Sequence, residues 1–305
     1  MRPRRMTRIA RPLLPATVAL SLLLAACAAG PGGSTGPIAH PSGDALVLRI
    51  AYRGGLPGPA TLLTDFPVFT LTGDGRVIVP GAQMELFPGP ALPAVNARRL
   101  TEEGIQAILD EVARTAIFGA SIEYRGAQNM VMDASDTVFT LHADGREVEI
   151  VVYGLGTIDP AAQNAGISAA EIAAHGALMR LSERLMNPDG WLPASAWAEA
   201  SWHPFEPEAL RLIVRNADAD PPDGSGIGNA IIDWPDGSDP LTFGDPAEGG
   251  SLRCGVVSGQ EATDWYGALS LANQLTLFVK DDHRYQVMVR LMLPDEPLEC
   301  PAQPA

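Results

Sequence analysis

The sequence predicts an α+β fold: two similar units of antiparallel β-hairpins, each packed with one or two helices, as an internal duplication would give. Three observations carry this. An alternating strand that breaks at Asp-Gly recurs, Phe69-Thr70-Leu71-Thr72-Gly73-Asp74-Gly75-Arg76 returning as Phe139-Thr140-Leu141-His142-Ala143-Asp144-Gly145-Arg146. Apolar stripes of helical period lie between such hairpins. An alternating strand opens each half, at residues 45–52 and 209–215.

Taken in order, the strand at 45–52 leads to the first hairpin, which continues as Val77-Ile78-Val79. Asp-Gly between alternating runs signals a type I′ turn, because both central residues need positive φ. Residues 101–118 place Ile105, Ile108, Leu109 and Val112 on one helical face, with Gly119 to cap the end. The second hairpin returns through 148–152. Residues 168–186 read as a helix opened by Ser168 and Glu171, a capping box, and stopped before Pro188. Residues 187–207, rich in Pro and Trp, join the halves. After the strand at 209–215, residues 258–274 repeat the capping box with Ser258 and Glu261 and bury Ala262, Trp265, Leu269 and Ala272. A third, weaker hairpin is Leu277-Phe278-Val279-Lys280-Asp281-Asp282-His283-Arg284. His283 stands where the earlier copies have Gly; His tolerates the left-handed region, so the turn is expected to survive. The units are expected at 45–190 and, with the Trp/Pro-rich junction, 191–305. Helices should cover one face of each sheet. Long βαβ alternation is absent, which disfavours a doubly wound nucleotide fold.

The 305 residues are 46% hydrophobic and 19% charged, which is globular composition. The chain carries 36 acidic against 21 basic side chains. All five charges in residues 1–26 are Arg, so beyond them 16 basic side chains face 36 acidic ones, a net of −20. That sign argues against nucleic acid as a partner and against electrostatic docking on anionic lipid.

Residues 1–26 read as a lipoprotein signal peptide. Arg2, Arg4, Arg5, Arg8 and Arg11 form a basic start, and 15–24 is an apolar stretch too short to span a bilayer. It ends in Leu24-Ala25-Ala26-Cys27, small residues before a cysteine, as in a bacterial lipoprotein box. Cys27 is therefore expected to be cut at its amino side and diacylated, and two acyl chains hold a protein stably on a membrane. The alternative is an ordinary signal peptide with a leftover cysteine. Residues 27–44, rich in Gly, Pro and Ser, read as the lipidated Cys and a flexible tether. Gly32-Gly33-Ser34-Thr35-Gly36 matches a nucleophile elbow but lacks the strand and helix that motif needs. Cys254 and Cys300 remain; in an exported chain they most simply form one disulfide, the alternative being two free thiols.

Other reactive side chains favour ordinary structural roles. Asp218, Asp220 and Asp223-Gly224 resemble a calcium loop, but the third Asp is misplaced and no Glu closes it. Asp233, Asp236 and Asp239 add carboxylates nearby. His40, His142, His175, His203 and His283 show no metal-ligand spacing. Asp295-Glu296 and Glu102-Glu103 read as turn or cap charges, since adjacent residues do not face each other across a substrate. The cluster Trp191, Trp197, Trp202 and Phe205 is expected to be buried as a plug between the halves; exposed, it would be a binding patch.

The block Phe66-Pro67-Val68-Phe69-Thr70-Leu71 with Gly73-Asp74-Gly75-Arg76-Val77-Ile78 resembles one in uncharacterised secreted proteins and lipoproteins of actinobacteria and similar GC-rich bacteria. So do Phe87-Pro88-Gly89-Pro90-Ala91-Leu92-Pro93, the stretch from Arg99 to Gln106, Arg253-Cys254-Gly255-Val256-Val257-Ser258-Gly259, and Arg290 to Glu296 with Cys300. The resemblance covers most of 45–300. It implies pairing of Cys254 with Cys300 and carries no activity, substrate or catalytic residue.

The sequence therefore points to a lipid-anchored protein at the extracytoplasmic face of the cell membrane. It is expected to be a non-catalytic binding or interaction module without a cofactor, held by lipid on Cys27 and meeting another envelope protein. The alternatives are a cell-envelope hydrolase with its site between the units, recognisable by a junction cleft lined by His203 or several carboxylates, and a small-ligand carrier or sensor with a closed apolar pocket.

Overall fold

A computed structural model describes residues 36–56, 58–83, 85–129, 131–158, 166–221 and 229–301. Cys27, the signal segment and Asp223-Gly224 lie outside the described residues, as do four of the five residues of the 32–36 motif.

Among the described residues two sheets and four helices make an α+β fold. The first sheet has the order β5 (Ile122–Tyr124), β7 (Arg146–Tyr153), β6 (Asp136–Ala143), β1 (Leu46–Arg53), β2 (Phe69–Thr72), β3 (Arg76–Pro80), β4 (Val95–Arg99), β8 (His203–Pro204). The second runs β10 (Ile231–Asp233), β13 (Leu277–Lys280), β14 (His283–Leu291), β9 (Ala209–Asn216), β12 (Leu252–Ser258), β11 (Asp245–Ala247). All pairings are antiparallel except β5 with β7 and β10 with β13. β1 and β9 hold the same central place. The hairpins beside them are threaded in opposite order: β6, the earlier strand of its hairpin, lies against β1, whereas β14, the later strand, lies against β9.

The three turns are not equivalent. Asp144 and Gly145 both have positive φ, as a two-residue type I′ loop requires. In the first hairpin Leu71 pairs Val77, so Gly73-Asp74-Gly75 is a three-residue loop in which only Gly75 is left-handed, at φ 84°. The Asp74 carboxylate takes the Thr72 hydroxyl and the Arg76 amide, building the turn from its side chain. In the third hairpin the positive-φ pair is Asp281 and Asp282, not Asp282 and His283. Lys280 pairs His283, so the histidine opens β14 instead of replacing the glycine. Asp tolerates the left-handed region, which allows the one-residue slip.

α2 (Glu102–Ala113) is shorter than expected. Thr115 Oγ1 donates to the Val112 carbonyl and accepts the Ile117 amide, ending the helix and starting a separate 3-10 turn that Gly119 closes. α3 (Ala169–Met186) begins where Ser168 Oγ accepts the Glu171 amide, 3.1 Å away. The Glu171 carboxylate reaches instead to the Gly126 amide, at 2.7 Å. α4 (Gly259–Ser270) has no side-chain cap from Ser258 and stops before Leu271, so the expected box and the last helical turn are absent. Ala262, Trp265 and Leu269 of its stripe are buried as expected, and so is Ala272, which lies beyond the helix end. A further short helix, α1 (Pro59–Thr64), was not anticipated.

α2 and α3 lie on one face of the first sheet over Leu48, Ile50, Phe69, Phe139 and Ile150. α4 covers the second sheet over Leu212, Val214, Phe278 and Tyr285. Ile78, Val95 and Ala97, from β3 and β4, belong to this second core, so the two sheets share buried surface. The described residues from Ile38 onward accordingly form one unit. The boundary expected at 190/191 is crossed: β8 closes the first sheet against β4, and the 194–196 turn packs on α2, where a side chain at Gly104 would collide with the Ala196 carbonyl. The tether expected over 27–44 is not free along its whole length. The Ile38 backbone exchanges two hydrogen bonds with the Gln106 side chain, at 2.8 and 2.9 Å, and the His40 ring meets Glu102.

Candidate functional site

At the junction a groove of about 900 Å³ opens between three separate stretches. Residues 204–208, which leave the first sheet for the second, form its floor. The first turns of α4 supply Gln260, Thr263 and Tyr266, and the chain after β14 supplies Pro294, Glu296 and Leu298. Leu298 is 60% exposed, a large apolar side chain left on the rim. Phe205 is anchored in the second core, and its amide donates to the Val95 carbonyl at 2.9 Å. A recess of about 250 Å³ adjoins, sharing Arg76, Pro204, Phe205 and Glu206 and adding Arg99, Glu199 and His203.

The charges around the groove fall into two sets. One set is neutralised in place. Arg290, 5% exposed, holds Glu296 through two parallel hydrogen bonds of 2.5 and 2.6 Å. Burial pushes the Glu296 carboxyl up, but the bonds and charge of Arg290 outweigh it, and the net direction is down. Arg49 adds a 2.6 Å bond to Asp295. Burial also opposes ionisation of Asp74, yet hydrogen bonds from Thr72, Arg99 and Arg76 bring its carboxyl to about 2. The other set is free: Glu206 and Glu208 are exposed and make no ion pair among the described residues.

His203 does line the recess, but both its nitrogens face acceptors. Nε2 is 3.2 Å from Glu199 Oε2 and Nδ1 is 3.1 Å from the Pro204 carbonyl. Neither nitrogen is placed to draw a proton from a nucleophile.

The other expected sites resolve as follows. Cys254 and Cys300 are joined by a disulfide, with Cα atoms 6.1 Å apart. The described members of the acidic cluster do not converge. Asp218 takes the Arg284 amide, the His283 ring and the Asn216 amide group, which lower its carboxyl to about 2. Asp220 pairs with Arg215 through two bonds. Asp236 accepts the indole N–H of Trp234 at 3.0 Å and of Trp265 at 2.5 Å, in the second core. No group of three metal-ligating side chains forms among the described residues. Glu102 lies in the first turn of α2, capped by Thr101, and pairs locally with Gln106 and His40. His142 sits in β6 opposite Glu147, and His175 is buried at 3% exposure. The aromatic cluster divides: Trp191, Trp197 and Trp202 pack into the first core and Phe205 into the second. Arg98 lies over Trp197, 4.0 Å from its ring centre, and Arg184 over Trp191 at 4.3 Å.

Glu206, Glu208, Thr263, Tyr266 and Leu298 were not singled out from sequence. For Glu206 and Glu208 the signal is the Pro204-Phe205-Glu206-Pro207-Glu208 run, too proline-rich for a central strand and too apolar for a plain linker; Thr263, Tyr266 and Leu298 carry none. Among the described residues no helix is long and apolar enough to cross a membrane. Comparison of the chain with protein-family models, curated proteins and solved structures finds no match.

Proposed function

We propose that this chain is a lipid-anchored binding module at the extracytoplasmic face of the membrane, and that the junction groove is the face that meets its partner, another envelope protein. The observation that carries the reading is the groove itself, an open channel with exposed apolar and acidic side chains set on a body braced by a disulfide. A disulfide suits an oxidising compartment, in keeping with the address read from Leu24-Ala25-Ala26-Cys27. The committed nitrogens of His203 favour binding over hydrolysis at this site.

The anchor is tested by the intact mass of the protein taken from its host membrane, before and after reduction and alkylation. A chain starting at Cys27 with a diacylglyceryl increment, and two alkylatable thiols only after reduction, is expected. An unlipidated mass overturns the anchor. The binding face is tested by a photo-crosslinking side chain at Thr263, which is exposed on the groove wall. A defined adduct is expected there and none from the exposed position Glu103 on α2; adducts of equal yield at both overturn the groove as the contact face.

A further inference from the structure

Resting on the groove as the contact face, we propose that its occupant is an extended, basic segment of the partner protein, which pairs with the backbone at Glu206 and Glu208 and sets its cationic side chains against their carboxylates. Three features point to this occupant.

The first is an open edge. β8 ends the order of the first sheet and, among the described residues, is bonded only to β4. Pro204 and Pro207 have no amide proton, the Pro204 carbonyl faces His203 Nδ1, and the Phe205 amide is taken by Val95; the amides of Glu206 and Glu208 make no hydrogen bond among the described residues. Two free amides two residues apart are what an added extended segment can satisfy, and main-chain pairing of this kind supplies affinity without demanding one sequence.

The second is charge. The nearby acids Glu296, Asp295 and Asp74 are already matched by Arg290, Arg49, Arg76 and Arg99, so the groove's uncompensated charge is that of Glu206 and Glu208. Complementary charge would steer a cationic segment here and reject an acidic one. A second copy of this chain, with its net of −20 beyond residue 26, would bring like charge to the same place.

The third is the apolar wall. Tyr266, Pro294 and Leu298 line the groove opposite the acidic floor. An extended segment alternates its side chains, so basic residues can face the carboxylates while apolar ones face this wall.

The test uses the full chain in detergent and fluorescence anisotropy with three labelled eight-residue peptides: Arg alternating with Val, Glu alternating with Val, and the Arg peptide with alternate backbone amides N-methylated. The Arg peptide is expected to bind, more weakly as salt is raised. The Glu and N-methylated peptides should bind at least about ten-fold more weakly, and the double variant Glu206→Gln/Glu208→Gln should weaken the Arg peptide by about ten-fold. Thr263→Trp, which fills the groove from an exposed position, should abolish binding. Equal binding of the Arg and Glu peptides, indifference to the double variant, or no binding of the Arg peptide overturns the proposal. If the Thr263 crosslink persists while the peptides fail, the groove remains the contact face and only its basic occupant is lost. If Thr263→Trp leaves binding intact and the crosslink is also absent, both readings fall.

Discussion

Phe69 and Phe139 stand opposite the same residue, Ile50, from its two sides. The repeated Phe-Thr-Leu triplet thus flanks β1 twice in one register, Thr70 and Thr140 meeting Arg49, Leu71 and Leu141 meeting Leu48. Ile50 and both phenylalanines are fully buried on the face under α2 and α3. Truncating any of the three removes buried contacts and leaves a cavity. Ile50→Ala is expected to cost about 2–5 kcal/mol and Phe139→Ala about 3–5 kcal/mol by urea unfolding. The pair should be non-additive, since both line one cavity. A cost below about 1 kcal/mol for either would show that the register is not as described.

Much of this arrangement could be read from local pattern. The buried stripes of α2 and α4 and the existence of three hairpins follow from apolar spacing and turn residues. Their assembly could not. Which strand lies beside β1 is decided by long-range pairing, and the two halves thread their hairpins in opposite order although the motifs look alike. The slip at Asp281-Asp282 depends on the tolerance of Asp for positive φ, which competes with His283 within one residue. β8 is two residues long and carries a proline, so no propensity marks it. The groove joins 204–208, α4 and 292–298, three stretches whose spacing in the chain holds no signal, whereas the disulfide needed only a count of cysteines.

The bridge between Cys254 and Cys300 closes a loop of sequence separation 46. In the chain-entropy account such a loop is worth about 4 kcal/mol. It also fixes the segment after β14: Arg211 donates to the Glu299 carbonyl at 3.1 Å, and Leu298 beside it forms the groove wall. The double variant Cys254→Ala/Cys300→Ala is therefore expected to lose up to about 4 kcal/mol in denaturant unfolding, and reductant should lower the midpoint of the native chain but not of the variant. Equal midpoints with and without reductant would mean that the thiols are not joined in solution.

Arg290 ties three elements together. Besides Glu296, its Nε donates to the Asp65 carbonyl just after α1, at 2.5 Å, and its guanidinium lies 5.6 Å from the centre of the Phe66 ring. Removing one partner of a buried pair leaves an uncompensated charge, so Arg290→Ala or Glu296→Ala should cost about 3–5 kcal/mol. The apolar pair Arg290→Met/Glu296→Leu should recover most of that loss. The Glu296 carboxyl is lowered on folding, so its contribution is present above the ordinary glutamate range and is lost as the pH falls through the folded value. Burial raises the Asp65 carboxyl, which works in the opposite sense and blunts the decline. Acid unfolding of Glu296→Gln against the native chain reads the difference: the variant should show the shallower decline below pH 5, and parallel curves would remove Glu296 as a source of acid sensitivity.

His175 supplies the opposite kind of pH dependence. It lies on α3 at 3% exposure, with neither ring nitrogen hydrogen-bonded among the described residues. Tyr124 of β5 meets it edge to face, ring centres 6.1 Å apart, and Glu171 one turn earlier places Oε1 3.9 Å from Nε2. Burial pushes the imidazole down, and the charge of Glu171 offsets this only in part. The unfolded chain therefore binds a proton that the folded chain resists. The sign is fixed: the effect is absent above the ordinary histidine value of about 6.5, and stability falls as the pH drops below it, until the folded ring also protonates. Replacing the ring with an apolar side chain removes both the protonation and the unsatisfied nitrogens. His175→Leu should match or exceed native stability at pH 7.5, by up to about 1–2 kcal/mol, and its advantage should widen at pH 5.5. Urea midpoints at the two pH values decide it. An advantage that stays constant would place a proton-accepting partner at the ring, and one that narrows would reverse the sign argued here.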